Sequence, residues 1–295
     1  MTTCPIAARV VGFAAWLLAG VLAFATPALA FDAGSLRSKH AALTDKLANN
    51  QFGHPLVLES TETAGDLRGD VYAVVDHPFA MVQQALQSID HWCDILILHL
   101  NVKRCRSNSG GKMLVLNVGR KFDQPLEDAY ELEFAWQLAA TAPDYLLVQL
   151  SAAQGPLSTK NYRIVVEAIP IDARRSMVHM SYAYGYGFAA RVALQTYLST
   201  LGRNKIGFSM TGRNAEGKPI HVAGVLGLLE RNTMRYYLAI DAYLTAYPLP
   251  PTEQFEKRIQ TWYGSTERYA DQLHEMEQAD YLEMKRKEMR RQQQG

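Results

Sequence analysis

Histidines, tyrosines and cysteines are the residues of this chain that invite a chemical reading. His77, His91, His99, His179 and His221 are scattered, and only His99 and His179, both on predicted strands, can become neighbours. There is no G-x-S-x-G elbow, no H-E-x-x-H and no Walker loop. Gly185-Tyr-Gly187-Phe-Ala-Ala190 matches G-x-G-x-x-A between a predicted strand and helix. No Asp or Glu follows until Glu216, too far for the acid that holds a ribose, and the flanking strands read as antiparallel. No catalytic residue, metal ligand or cofactor site is therefore assigned.

The tyrosines carry more. Tyr182, Tyr184 and Tyr186 alternate along one strand edge, and Tyr236, Tyr237 and Tyr243 line a predicted helix. Phe134 and Trp136 point from a central strand toward the same interior. Such a set packs as ordinary core or lines a cavity. A core built from many tyrosines must satisfy every buried hydroxyl, and a pocket with a few polar groups in an apolar wall does so readily. The residues in the apolar phases of their elements are Leu132, Phe134, Trp136, Ile164, Val166, Met180, Tyr182, Tyr236 and Ile240, and they are expected to line one shared interior.

Cysteine usage depends on where the chain works. Val10 to Ala25 is uninterrupted apolar sequence after the single positive side chain of Arg9, and Ala28-Leu29-Ala30 supplies small residues for cleavage after Ala30. Residues 1–30 read as a signal peptide that sends the protein to a bacterial periplasm; a retained anchor is the alternative, although the apolar run is shorter than the ~20 residues of a span. Cys4 would leave with the signal. Cys93 and Cys105 would remain in an oxidising compartment, where a bond between them is expected.

The elements that must position these residues follow from periodicity. Residues 31–58 form a lead-in, helix-favouring over Ser35–Asn50 and then extended. Gly69–Val75 reads as a strand, and Asp76-His77-Pro78 starts a helix with Asp76 as N-cap. A short helix holds His91–Asp94 and an extended stretch runs over Ile95–Lys103. Five strands follow at 112–119, 129–140, 145–152, 162–169 and 177–184, separated by Gly, Pro and Asp turns. In the second of these Leu132, Phe134 and Trp136 share one face and Glu131, Glu133 and Gln137 the other; in the fourth Ile164 and Val166 oppose Arg163 and Glu167. One apolar and one solvated sheet face are expected. A helix at 188–201, a last strand at 205–211 and a long amphipathic helix at 222–244 complete the domain.

This order of elements resembles the START-like superfamily, also called SRPBCC, whose fold is the helix-grip. The resemblance rests on Gly69-Asp-Val-Tyr-Ala-Val-Val-Asp-His-Pro-Phe79, Ser88-Ile-Asp-His-Trp-Cys93 and the helix around Arg231–Leu244, and spans residues 59–247. It implies an α+β fold in which a curved antiparallel sheet grips a long C-terminal amphipathic helix. It also implies binding, and transfer, of a hydrophobic small molecule or lipid between sheet and helix. Alternatives are a cyclase- or hydrolase-type enzyme that uses a cavity Tyr or His as general acid or base, and an interaction protein acting through its tail.

Residues 248–295 form a Pro-rich linker and a helical tail. Phe255, Ile259, Trp262, Thr266, Tyr269, Leu273 and Met276 make a stripe from Thr252 onward, interrupted by Gly264 and fading into the basic run 285–291. The stripe can pack back on the domain, support self-association, or end in a weak membrane-surface contact through the basic residues. Thirty Lys+Arg against 29 Asp+Glu leave no global field to attract nucleic acid.

Overall fold

Alternating sequence from residue 56 onward builds one antiparallel sheet in the computed structural model, which describes residues 1–2, 31–108, 110–187 and 205–293. Residues 3–30 of the expected signal peptide and the helix expected at 188–201 lie outside the described residues. Eight strands take part: β1 Leu56–Thr63, β2 Asp66–Val75, β3 Val102–Ser107, β4 Met113–Val118, β5 Tyr130–Ala142, β6 Tyr145–Gln154, β7 Thr159–Pro170 and β8 Ser176–Tyr186. Their order is β1-β2-β8-β7-β6-β5-β4-β3, every neighbouring pair antiparallel. Tight turns set the registers. Between β7 and β8, for example, Asp172 accepts from the backbone N–H groups of Arg174 and Arg175.

The curved inner face grips helices. Two short ones, α2 Phe79–Leu86 and α3 Ile89–Leu96, precede β3, and the 23-residue α4, Gly224–Ala246, crosses the sheet beside β2. Gly69 on β2 permits that approach, because a Cβ there would stand 2.3 Å from the Thr233 hydroxyl of α4. Cys93 of α3 and Cys105 of β3 are disulfide-bonded, with Cα atoms 5.1 Å apart. This is the helix-grip architecture, α+β, that the resemblance implied.

Three local expectations need correction. Pro78, not Asp76, occupies the N-cap of α2. The stretch 95–103 is not extended: Ile95 and Leu96 finish α3, a turn carries Leu98–Leu100, and the strand begins at Val102. Residues 210–213 do not extend the sheet; as β9 they pair only with β10, Pro219–His221, in an exposed ribbon.

The tail folds onto the domain. Helices α5 Pro251–Glu267, α6 Ala270–Leu273 and α7 Gln278–Gln293 bury Ile259, Trp262, Leu273, Tyr281 and Met284 in the main core. The Trp262 indole N–H donates to the Arg235 carbonyl at 3.1 Å and its ring stacks on Tyr281 at 5.0 Å. Gly264 is absorbed into α5; the helix ends at Arg268 instead. Lys285 and Glu288, in the basic run offered as a membrane-surface contact, are fully buried. Others of that run pair with acids: Arg286 with Glu256, and Lys287 and Arg291 with Asp123.

The outer sheet face is also not simply solvated. Helix α1, Ala33–Ala48, lays Leu36, Leu43 and Leu47 over Val57, Tyr72, Leu147, Val165 and Met177 to make a second, smaller core. Its apolar stripe is narrow within a polar helix, so it reads from sequence as a surface element.

Candidate ligand cavity

A cavity of about 460 Å³ lies between the β4–β8 half of the sheet and α4. Leu116, Leu132, Phe134, Tyr162, Tyr182 and Tyr184 form its sheet wall, and Leu228, Asn232 and Tyr236 its helix wall. The aromatic rings hold one another: Tyr162 stacks on Tyr184 at 5.2 Å and 14°, Tyr182 meets Tyr236 at 5.1 Å, and Phe134 meets Tyr162 edge-on. At the rim Leu157 is 65% exposed with φ 56°, and Ser158 and Asn161 are also left-handed. Three non-glycine residues in that region are a concentration of backbone strain.

Of the nine residues expected to share an interior, all belong to or pack against the main core, but they divide by depth. Leu132, Phe134, Tyr182 and Tyr236 line the cavity. Ile164, Val166, Met180 and Ile240 are buried in the core and Trp136 is half-buried against it, none of them in the cavity wall. Glu131, Glu133 and Arg163 are exposed, so the register of β5 and β7 is as read. Tyr243 lies away from the cavity, under the Arg258 guanidinium and beside His91.

Sequence reading missed the polar end of the cavity. His99 is 2% exposed and stacks on Tyr236 at 4.6 Å. Its Nδ1 accepts the Asn101 backbone N–H at 3.2 Å, so Nε2 carries the proton, and that buried N–H has no partner. Burial pushes the His99 pKa well below its ordinary value, with Arg235, Lys285, Lys121 and Lys103 adding to the effect, and the ring is neutral. Gln124 repeats the pattern. Its Oε1 accepts the Arg120 N–H at 2.7 Å and its buried Nε2 has no partner. Asn101 ties the two turns together, its side chain donating to the Gly119 carbonyl and its own carbonyl accepting the Gly119 N–H. Both His99 and Gln124 line the cavity.

Five cations stand behind this end and share two carboxylates. Glu275 takes Lys121, Lys205 and Arg235 at 2.5, 3.1 and 2.7 Å. Glu288 takes Lys103 at 3.0 Å and Lys285 at 2.7 Å. Burial, reinforced by Arg235, lowers Lys121 to about 8 against the pull of Glu275; Glu275 itself is held at about 2, because Arg235 and Lys121 outweigh its own desolvation. The tail fixes the same region: Tyr281 donates to the Leu98 carbonyl and Lys285 to the His99 and Val102 carbonyls.

The chain is similar to a START superfamily protein from Mycobacterium smegmatis, at 11% identity and TM-score 0.31 over 46% of this chain and 92% of that one. It is similar to norcoclaurine synthase from Thalictrum flavum, at 11% identity and TM-score 0.34 over 50% of this chain and 91% of that one. A third likeness is to the Zhui aromatase/cyclase from Streptomyces sp. R1128, at 12% identity and TM-score 0.33 over 47% and 87%. The sequence matches no protein-family model and no curated protein. The helix-grip assignment rests on sheet order and helix placement.

A second polar cluster lies on the opposite face of the sheet, so His99 and His179 are not neighbours. His179 bridges Glu167 through Nδ1 at 2.7 Å and Asp70 through Nε2 at 2.8 Å. Tyr145 donates to Glu167 and Arg68 to Asp70. Gly185, from the glycine motif, pairs with Asp66 of β2 and Lys160 of β7 inside this antiparallel sheet, which is no setting for a dinucleotide turn. Among the described residues no His, Cys, Asp and Glu group could hold a metal ion.

Proposed function

We propose that this protein binds a hydrophobic small molecule or lipid in the cavity between the sheet and α4. The observation that carries the reading is the cavity of about 460 Å³ walled by Leu116, Leu132, Phe134, Tyr182 and Tyr236. That volume falls within the ~300–1,000 Å³ of small-molecule sites, and burial of apolar surface contributes ~25 cal/mol per Å² without any catalytic group. Ile164, Val166, Met180 and Ile240 belong to the same core and Trp136 packs against it. The electrostatics favour binding over acid–base turnover: burial moves His99 well below its ordinary value and Tyr182, Tyr184 and Tyr236 above theirs, in each case away from pH 7. The Cys93–Cys105 bond supports a working place outside the cytoplasm, in the periplasm.

Native mass spectrometry and solvent extraction of the purified protein test this. A stoichiometric amphiphile that co-purifies, and is displaced by a longer-chain analogue, is the expected result. A Leu132→Trp variant that folds and retains the same bound mass overturns the assignment to this cavity.

A further inference from the structure

The polar end of the cavity holds two donors that share one design. In His99 and in Gln124 a backbone N–H occupies the acceptor atom, which orients the side chain and leaves a buried N–H without a partner. A buried unpaired donor costs ~1–3 kcal/mol, and here two such donors stand on turns clamped together by Asn101 and Gly119. Gly119 is part of the construction, since a Cβ there would lie 2.6 Å from the Gln124 amide. Resting on the ligand reading above, we propose that this end receives the carboxylate of a single-chain amphiphile, one oxygen accepting from His99 Nε2–H and the other from the Gln124 amide.

Charge decides between a carboxylate and a neutral head group. The five cations named above face two carboxylates, which leaves an excess of three positive charges behind the His99 turn. In a low-dielectric interior that excess favours an anion and opposes an ammonium. Of the acids among the described residues, only Asp128 is in the cavity wall, and it is exposed, where solvent screens it. His99 stays neutral in this field and acts only as a donor. The acyl chain then lies along Leu132, Phe134 and Tyr182 toward Leu157 at the rim.

The test is calorimetric titration of the delipidated full chain with decanoate, decanol and decylamine at pH 7. Decanoate is expected to bind roughly tenfold or more tightly than decanol, the scale of hydrogen bonds to a charged group, and decylamine more weakly than either. His99→Leu and Gln124→Met, made singly, are each expected to weaken decanoate binding more than decanol binding, so that the roughly tenfold acid preference is largely lost. Gln124→Met changes a turn side chain and serves if His99→Leu does not fold. Equal affinity of the wild type for acid and alcohol overturns the head-group assignment but leaves the cavity reading standing. So does an acid preference that survives both substitutions. Binding of none of the three probes overturns both.

Discussion

The His179 imidazole lies flat against the Tyr72 ring, centroids 4.2 Å apart and planes within 6°. Across one sheet face it joins β2, β7 and β8, because Asp70 and Glu167 take its two nitrogens. Burial opposes protonation there, but the hydrogen bonds that the ring donates to Asp70 and Glu167 overcome it and raise the His179 pKa. Burial likewise opposes ionisation of Asp70, yet its bonds from His179 and Arg68 hold it at about 2.

The two shifts predict the pH profile of stability. A raised histidine pKa contributes fully below the unfolded value of ~6.5 and is lost as pH rises through the folded one; a depressed carboxyl contributes above ~3.8 and is lost as pH falls toward 2. Stability from this cluster is therefore greatest between about pH 4 and 6.5 and declines on the alkaline side. Urea unfolding at pH 5, 7 and 9 should show that decline in the wild type and a flatter profile in His179→Gln. The variant should lose about 3 kcal/mol at pH 5, since it leaves two buried carboxylates short of a partner. Matching alkaline slopes in the two proteins would sink the assignment.

The Cys93–Cys105 bond closes a loop with a sequence separation of 12 between α3 and β3. In the chain-entropy model a loop of this size stabilises by about 3 kcal/mol. Cys93→Ala/Cys105→Ala should unfold at lower urea by that amount, and reductant should destabilise the wild type but not the variant. Because the loop contains His99, the reduced protein should also lose decanoate affinity.

Much of the architecture was legible because it is written in local periodicity. Alternation placed Leu132 and Phe134 inward and Glu131 and Glu133 outward, and turn residues separated the strands. The cavity's polar end was not legible. His99 and Gln124 look like isolated polar residues in turns, and their roles arise from backbone capture and from a turn held by Tyr281 and Lys285, more than 180 positions away. The α1 stripe had a signal, Leu36, Leu43 and Leu47 at spacings of seven and four, but too few apolar residues to mark it as a packed face. The basic run of α7 misled for a related reason: composition marks Lys285 and Glu288 as surface, while their positions, i and i+3 beside Tyr281 and Met284, put them on the buried side.

The cavity wall predicts a separation of stability from affinity. Phe134 is 3% exposed and lines the cavity, so Phe134→Ala should cost about 3 kcal/mol at most and enlarge the space. Tyr236→Phe should leave stability within about 1 kcal/mol and preserve the stack on His99. Ligand affinity should fall in the first variant and hold in the second, as read by displacement of a fluorescent fatty-acid probe. A loss in Tyr236→Phe equal to that of Phe134→Ala would show that the tyrosine hydroxyl, not the apolar wall, dominates binding.

The last prediction concerns Glu288, whose carboxylate pairs with both Lys103 and Lys285, all three with fully buried side chains. Glu288→Gln removes the compensating charge and leaves two ammonium groups in the core, which should destabilise by about 3–5 kcal/mol at pH 6. Burial lowers Lys285 to about 8, with Glu288 pulling the other way; without Glu288 both lysines should release protons at lower pH still. A lysine whose folded pKa lies below its unfolded value of ~10.4 costs stability while charged and ceases to do so once neutral, so the unfolded state binds more protons and stability rises with pH. The deficit of Glu288→Gln should accordingly shrink between pH 6 and pH 9, whereas a deficit due to lost packing would not change. Lys285 also donates to the His99 carbonyl at 2.7 Å, so the same variant should weaken decanoate binding at pH 6 and leave decanol binding nearly intact. Unfolding midpoints at the two pH values and paired titrations with the two probes check both halves. A pH-independent deficit would show that the α7 charges act only as packing, and an unchanged acid preference would show that the tail does not position His99.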